Sequence, residues 1–118
     1  MPAMRILLAE DEQTISKLIE KVLAAAGHDV VGVRSVAEAV ERLASNGWDL
    51  VLLDLHLEDG DGFGVVEAAE RAARHVPFVV MTGEAGFEED PRAVRVAGVL
   101  RKPFDLDELE LVIGRYCA

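Results

Sequence analysis

The chain has 118 residues, 51% of them hydrophobic and 29% charged, which is the balance of one globular domain and excludes a disordered segment. Its formal net charge of −10 argues against direct nucleic-acid binding, and its single cysteine, Cys117, excludes an intramolecular disulfide and favours a reducing compartment. No apolar run reaches the roughly 18 residues needed to cross a membrane, so we expect one cytoplasmic domain over residues 1–118 without membrane contact.

Short, solidly hydrophobic runs recur along the whole chain. Runs rich in Val, Ile and Leu are typical of strands that are buried on both faces of a parallel sheet. Five such runs predict five strands, at Ile6–Ala9, Val30–Val33, Leu50–Leu53, Phe78–Met81 and, more weakly, Val99–Leu100.

Between these runs, apolar residues recur at the three- and four-residue spacing of helices that bury one face. Capping boxes mark two helix starts, one at Ser35 with Glu38 and one at Asp105 with Glu108. The apolar stripes predict four helices: Ile15, Leu18, Ile19, Val22 and Leu23 in the first; Val36, Val40 and Leu43 in the second; Val66, Ala69 and Ala73 in the third; and Leu109, Val112, Ile113 and Tyr116 in the last.

The segment from Gly83 to Gly98 differs from the other interstrand segments. It contains Gly86, Pro91 and the acidic run Glu88–Asp90, so we expect its helix, the fourth along the chain, to be short or mobile. Five strands alternating with helices predict a doubly wound α/β domain. We expect a parallel sheet in the order 2-1-3-4-5 with helices on both faces.

Polar residues directly follow four of the five predicted strands. Glu10 and Asp11 follow the first strand, Asp54 the third, Thr82 the fourth, and Lys102 comes just after the fifth. Open parallel sheets bind ligands beyond the carboxyl ends of their strands. The sequence therefore predicts a site at this edge with three carboxylates, a hydroxyl and an ammonium group.

These side chains suit phosphoryl transfer to a carboxylate. Crowded carboxylates repel one another, and Mg²⁺, which prefers oxygen ligands, relieves that repulsion. Asp54 is the predicted nucleophile, attacking an activated phosphorus to form an acyl phosphate. Lys102 and Thr82 are predicted to bind phosphoryl oxygens. We expect Mg²⁺ as the cofactor, with Mn²⁺ able to substitute.

Four motifs, taken in order, resemble the receiver domain of bacterial two-component response regulators: Ile6–Glu12, Asp49–Leu55, Asp59–Gly62 and Lys102–Phe104. The resemblance implies the flavodoxin-like receiver fold, with Asp54 as the phosphoacceptor. It implies that Asp11 binds the metal directly, that Glu10 helps through water, and that the backbone carbonyl of His56 is a further ligand. It also implies a cis Lys102–Pro103 peptide bond.

The resemblance further implies a response regulator that takes phosphoryl groups from a histidine kinase or a histidine phosphotransfer protein. Phosphorylation would change the surface of the fourth helix, fifth strand and last helix, to control a downstream protein or to relay phosphate. Such a domain is not an enzyme beyond self-phosphorylation and autodephosphorylation. The short segment after Thr82 resembles a compact subgroup that often stands alone, so we expect no output domain. The sequence leaves the oligomeric state open between a monomer and a weak dimer.

One position departs from the family pattern. Val99 stands where relatives commonly carry Tyr or Phe, three residues before the lysine, so the aromatic part of their switch is missing. We therefore expect activation to act through the Gly83–Gly98 segment and the last helix.

Other functions and sites remain open. A haloacid-dehalogenase type of enzyme also uses a strand-end aspartate, but it needs a second acid two residues later, where this chain has His56. A degenerate receiver would act only as a binding module. We interpret Asp59–Gly62 as a turn and not as a calcium loop, because Phe63 takes the next ligand position. The histidines, including His28 and His75, lack metal-ligand spacing and are expected on the surface.

Overall fold

The computed structural model describes residues 3–117 and contains one five-stranded parallel sheet. Its strands are β1 Arg5–Ala9, β2 Asp29–Val33, β3 Leu50–Asp54, β4 Phe78–Thr82 and β5 Gly98–Arg101. They lie in the order β2-β1-β3-β4-β5, which confirms the predicted topology and the doubly wound, flavodoxin-like class. All five predicted strands are present, each longer at one or both ends than its hydrophobic run.

Within residues 3–117, four α-helices cover the two faces of the sheet. They are α1 Gln13–Ala25, α2 Val36–Leu43, α3 Phe63–Arg71 and α4 Leu106–Gly114. Ser35 caps α2 by accepting a hydrogen bond from the Glu38 N–H, and Asp105 with Glu108 forms a complete capping box on α4. The two helix starts predicted from capping residues are therefore confirmed, whereas Tyr116, expected on the last helix, lies two residues beyond the end of α4 at Gly114.

The core forms two layers because side chains alternate along each strand. Leu52 and Leu53 are neighbours in β3 and both are fully buried, but they belong to different clusters. Leu53 packs with residues of α2 and α3, whereas Leu52 packs with residues of α1 and α4. Burial on both faces explains why β3 and β4 read as unbroken hydrophobic runs.

The fourth helical segment consists of two 3₁₀ turns, Phe87–Glu89 and Pro91–Arg95, and no α-helix. Gly86, with φ of +85°, begins the first turn in the left-handed region that glycine tolerates. The Asp90 side chain caps the second turn by accepting from the Arg92 N–H at 2.8 Å. The short fourth helix predicted from the glycines and Pro91 is confirmed.

The end of α3 corrects one expectation from the sequence. Ala73 was expected on the helix, but α3 ends at Arg71 and Ala73 has a φ of +54°. Its N–H donates to the Glu70 carbonyl and the Arg74 N–H donates to the Ala69 carbonyl, which closes the helix end. An alanine thus holds a left-handed position that glycine occupies at lower energy.

Ala73→Gly is therefore expected to stabilise the protein by about 1 kcal/mol, because it removes the strain of a Cβ at positive φ. Urea unfolding of the variant measures this gain. Ala72→Gly is the matched control, since Ala72 has a φ of −88° and carries no such strain. A gain of the same size in both variants, or in neither, would contradict the strain at Ala73.

The expectation that all three histidines lie on the surface is wrong for His28. Its side chain is 6% exposed, and its Nδ1 accepts a hydrogen bond from the Met4 N–H at 3.0 Å. This bond gives the Met4 N–H an acceptor where the chain enters β1. The spacing of histidines along the sequence does not predict such a contact. Among residues 3–117, no helix has the length and apolarity needed to cross a membrane.

Candidate phosphoacceptor and metal site

The carboxyl edge of the sheet gathers the polar residues that follow the strands. Asp54 ends β3 and pairs in register with Met81, so Thr82 lies one residue further along the neighbouring strand. Lys102 follows β5, and its ammonium group lies 2.6 Å from Glu10 Oε1 and 2.8 Å from Asp54 Oδ2. The topology thus joins residues that are 92 positions apart in sequence.

Three carboxylates lie together at this edge. Glu10, Asp11 and Asp54 each offer an oxygen within 4.8 Å of the others. Glu10 is fully buried and Asp54 is 5% exposed, which is unusual for carboxylates unless they are paired or bind a cation. A set of hard oxygen donors at this spacing fits Mg²⁺ or a similar divalent ion.

Lys102 offsets part of the repulsion between Glu10 and Asp54. Burial, followed by the hydrogen bond shared with Asp54, raises the pKa of Glu10 to about 7. Burial opposes ionisation of Asp54 too, but hydrogen bonds from Glu10, the His56 N–H and Lys102 hold its pKa below the usual range. The pKa of Lys102 is raised despite burial, because both carboxylates face its ammonium group. One partly buried cation therefore serves two carboxylates, and Glu10 is the carboxylate that more readily takes a proton.

The raised pKa of Glu10 predicts that the metal-free protein loses stability as pH rises. A carboxyl group with a pKa of about 7 when folded and 4.5 when unfolded contributes stability below pH 4.5, and this is lost as pH rises through 7. Between pH 5 and 8 the free energy of unfolding should fall by roughly 2–3 kcal/mol. Glu10→Gln should remove this part of the slope.

Urea unfolding of both proteins in the presence of a chelator, across this pH range, measures the difference. Asp54 does not interfere, because hydrogen bonds hold its pKa below the usual range despite burial, and its contribution to stability is lost only as pH falls into more acidic solution. Glu12→Gln is the matched control, since Glu12 is an exposed neighbour that should leave the slope unchanged. If the free energy of unfolding depends equally on pH in Glu10→Gln and in the wild-type protein, the raised pKa of Glu10 is not the cause of the slope.

A short antiparallel hairpin follows Asp54, and in it His56–Leu57 pairs with Gly60–Asp61. The turn interpreted from Asp59–Gly62 is the tip and return of this hairpin. The His56 N–H donates to Asp54 Oδ1 at 2.9 Å, so the hairpin backbone orients the Asp54 carboxylate. A metal-ligand role for the His56 carbonyl stays a prediction.

Two features of this hairpin escaped the sequence reasoning. The Asp59 carboxylate accepts from the N–H groups of Val36 and Ala37, at 2.7 and 3.1 Å, and so caps α2 from a distant loop. Gly62 passes so close to Asp54 that a Cβ would lie 2.0 Å from the Asp54 carbonyl oxygen. An Asp-Gly pair indicates a turn, but it does not indicate what the turn contacts.

The remaining predicted site residues lie around Asp54. Thr82 is 1% exposed, and its Oγ1 accepts from the Glu84 N–H at 3.0 Å. The His56 side chain points outward, with Nε2 2.8 Å from Glu84 Oε1, and lies at the solvent-exposed rim of the site. The Lys102–Pro103 bond is cis, as the resemblance implies.

Comparison with known proteins agrees with this geometry. RssB, the swarming motility regulation protein of Serratia marcescens, is 37% identical over 108 residues, covering 90% of this chain and 49% of RssB. The non-phosphorylated HemR receiver domain of Leptospira biflexa is 32% identical with a TM-score of 0.88, covering 96% of this chain and 93% of that one. The receiver domain of the sensor histidine kinase PA1611 from Pseudomonas aeruginosa PAO1 is 25% identical with a TM-score of 0.86, covering 98% of each chain, and holds a magnesium ion in its active site cleft.

The chain spans about half the length of the curated relatives it matches. A family model, described as the response regulator receiver domain, matches residues 6–113. This match covers almost the whole chain, including every residue of the carboxylate and lysine cluster. The chain therefore belongs to the receiver domain family of two-component response regulators.

Proposed function

We propose that this domain is a phosphorylation switch in which the Asp54 carboxylate accepts a phosphoryl group from a phosphohistidine. The donor is a histidine kinase or a histidine phosphotransfer protein, in the cytoplasm. The observation that carries the proposal is a nearly buried strand-end aspartate that contacts a lysine ammonium group and lies beside two further carboxylates. A purely structural role would not require three carboxylates at one edge of the sheet.

Each side chain of the site has a part in this transfer. Glu10, Asp11, Asp54 and the His56 carbonyl would hold Mg²⁺, or Mn²⁺, which supplies positive charge beside the incoming phosphoryl group. Asp54 forms the new oxygen–phosphorus bond as the phosphorus–nitrogen bond of the donor breaks and the imidazole leaves with its electron pair.

Two residues act on the product of this transfer. The Lys102 ammonium group, already bonded to Asp54 Oδ2, pairs with the charge on the phosphoryl group. The Thr82 hydroxyl, whose oxygen accepts from the Glu84 N–H, rotates to donate its proton to a phosphoryl oxygen, and this rotation would draw the oxygen away from Glu84. Release of Glu84 would alter the Gly83–Gly98 segment, which leads to β5 and α4, and so change the surface offered to a downstream protein or phosphate relay.

A switch accounts for the site better than a hydrolase of small phosphate esters. The position two residues beyond the nucleophile, where such an enzyme needs an acid, holds His56, whose side chain is 74% exposed and paired with Glu84. We therefore propose no catalytic activity beyond self-phosphorylation and autodephosphorylation. We assign the receiver unit to residues 1–118 and expect a monomer or weak dimer.

Intact mass spectrometry after incubation with Mg²⁺ and phosphoramidate tests the proposal. The protein should gain the mass of one phosphoryl group, and a chelator should prevent the gain. A parallel reaction with a phosphohistidine donor protein covers the case of a receiver that ignores small donors. No gain with either donor would reduce the domain to a binding module.

A further inference from the structure

Arg92 joins the segment after Thr82 to the hairpin that follows the acceptor. Its guanidinium group bonds to the Asp90 carboxylate of its own turn, with the shortest contact at 3.0 Å, and its NH1 lies 3.2 Å from Asp61 Oδ2. Asp61 belongs to the hairpin, 31 residues earlier in the chain. Arg92 is thus a direct side-chain link between the 3₁₀ segment and the hairpin.

Asp61 connects Arg92 to the backbone that contacts Asp54. Its backbone pairs with His56 in the hairpin ladder, and the His56 N–H donates to Asp54 Oδ1. Its other carboxylate oxygen, Oδ1, accepts from the Phe63 N–H at 2.9 Å and so fixes the start of α3. Only the Oδ2 contact depends on Arg92. The path from Arg92 to Asp54 therefore consists of Asp61 and His56 alone.

Aromatic packing holds the Arg92 side chain in this position. Its guanidinium carbon lies 5.3 Å from the centre of the Phe63 ring and 5.5 Å from that of Phe87. The side chain lines a cavity of about 340 Å³ together with Asp61, His56 and Glu84, beside the acceptor. A planar cation stacked in this way loses little further freedom on binding a carboxylate.

We infer that Arg92 is a positioning residue for phosphoryl transfer, which fixes the His56 backbone against Asp54 through Asp61 and ties the 3₁₀ segment to the acceptor hairpin. This inference deepens the proposed function, since it rests on Asp54 being the phosphoacceptor. Because the link runs both ways, a change at the acceptor that shifts the hairpin also moves the segment Phe87–Arg95. This route is separate from the one through Thr82.

Arg95 provides a matched control within the same turn. Its guanidinium carbon also lies over the Phe63 ring, at 4.8 Å, and it also pairs with a carboxylate. That partner is Glu70 on α3, however, and not a residue of the hairpin. Arg92→Ala and Arg95→Ala therefore each remove a cation that lies over Phe63 and pairs with a carboxylate, but only Arg92→Ala also removes the contact with the hairpin.

Amide hydrogen exchange of the metal-free protein tests the link without relying on phosphorylation. Exchange at the His56 and Gly62 amides should be about three- to fivefold faster in Arg92→Ala and in Asp61→Asn, a size set by the modest strength of a partly exposed ion pair. Asp61→Asn keeps an oxygen for the Phe63 N–H, so it isolates the contact with Arg92. Arg95→Ala should leave both amides at the wild-type rate, and Arg92→Lys should give an intermediate rate.

Two further measurements connect the hairpin to the site. Calorimetric titration with Mg²⁺ should give a Kd about threefold higher for Arg92→Ala than for Arg95→Ala, since only the first loosens the backbone near Asp54. In a double-mutant cycle, Arg92→Ala combined with Asp61→Asn should speed exchange no more than either change alone.

The possible results separate the inference from the function on which it rests. Equal effects of Arg92→Ala and Arg95→Ala on exchange and on Mg²⁺ binding would overturn the positioning role, even if the wild-type protein takes up a phosphoryl group. Faster exchange in Arg92→Ala and Asp61→Asn, with Arg95→Ala at the wild-type rate, would support the link. Failure of the wild-type protein to take up phosphoryl from any donor would overturn the role in transfer and the proposed function together, while the exchange data would still report the mechanical link.

Discussion

Asp54→Asn is expected to reduce phosphoryl uptake to background while the fold is retained. Asparagine has nearly the same shape and can still accept the His56 N–H bond, but its amide is not a nucleophile for phosphorus. Intact mass spectrometry after incubation with Mg²⁺ and phosphoramidate gives the result directly. Loss of one carboxylate should also lower the pKa of Glu10 towards its usual range, because Asp54 is among the causes that raise it.

Glu58→Gln is the matched control for this variant. Glu58 is an acidic residue of the same hairpin, exposed and paired with Arg34, and it takes no part in the site. Its replacement should leave uptake at the wild-type level. Persistent uptake by Asp54→Asn would mean that another side chain is phosphorylated, and peptide mapping would then identify a different acceptor.

Gly62→Ala is expected to cost about 3 kcal/mol of stability, in the upper part of the range for overpacked sites. The new Cβ would lie 2.0 Å from the Asp54 carbonyl oxygen and 3.1 Å from the Leu55 Cα, so backbone must move. Movement of the hairpin would also misplace the acceptor, and phosphoryl uptake should slow by roughly tenfold to a hundredfold. Urea unfolding and the initial rate of mass gain measure the two effects.

Gly32→Ala distinguishes this contact from a general intolerance of alanine. Its Cβ would lie at a similarly short 2.2 Å from another atom, but that atom is the Glu20 Oε1 at the end of a flexible side chain. Glu20 can move aside, so stability should change by no more than about 0.5 kcal/mol. Comparable losses in both variants would indicate that the close approach of Gly62 to Asp54 is not what matters.

The strands and the sheet order were predictable because both depend on local composition. A run such as Leu50–Leu53 can only be buried on both faces, and alternation with helices leaves few topologies open. The contact of Lys102 with Glu10 and Asp54 follows from that topology, since all three residues come at strand ends. The hydrophobic runs predict the strands, and the carboxyl ends of parallel strands lie at the same side of a sheet, so the two together predict that these distant residues meet.

The contacts of the hairpin were not predictable from sequence. The cap that Asp59 provides to α2 and the bond from Arg92 to Asp61 depend on side-chain directions that no periodicity encodes. The local sequence also does not predict burial that depends on tertiary contacts. The His28 imidazole, for example, is buried and accepts a hydrogen bond from the Met4 N–H. Ala73 was missed for a related reason: it occupies a left-handed position where glycine is the usual indicator.

The place of Trp48 determines what optical spectroscopy can report about this protein. The only tryptophan precedes β3, whereas Asp54 ends that strand, so the indole and the acceptor lie at opposite edges of the sheet, roughly 16–20 Å apart. Arg5 covers the indole ring at 4.1 Å, and the indole N–H donates to the Arg42 carbonyl. The fluorescence of Trp48 should therefore report global unfolding, and it should change little when a metal ion or a phosphoryl group binds. A change in Trp48 emission on addition of Mg²⁺ would contradict this expectation. It would mean that binding at the carboxyl ends of the strands alters the surroundings of the indole at their amino ends.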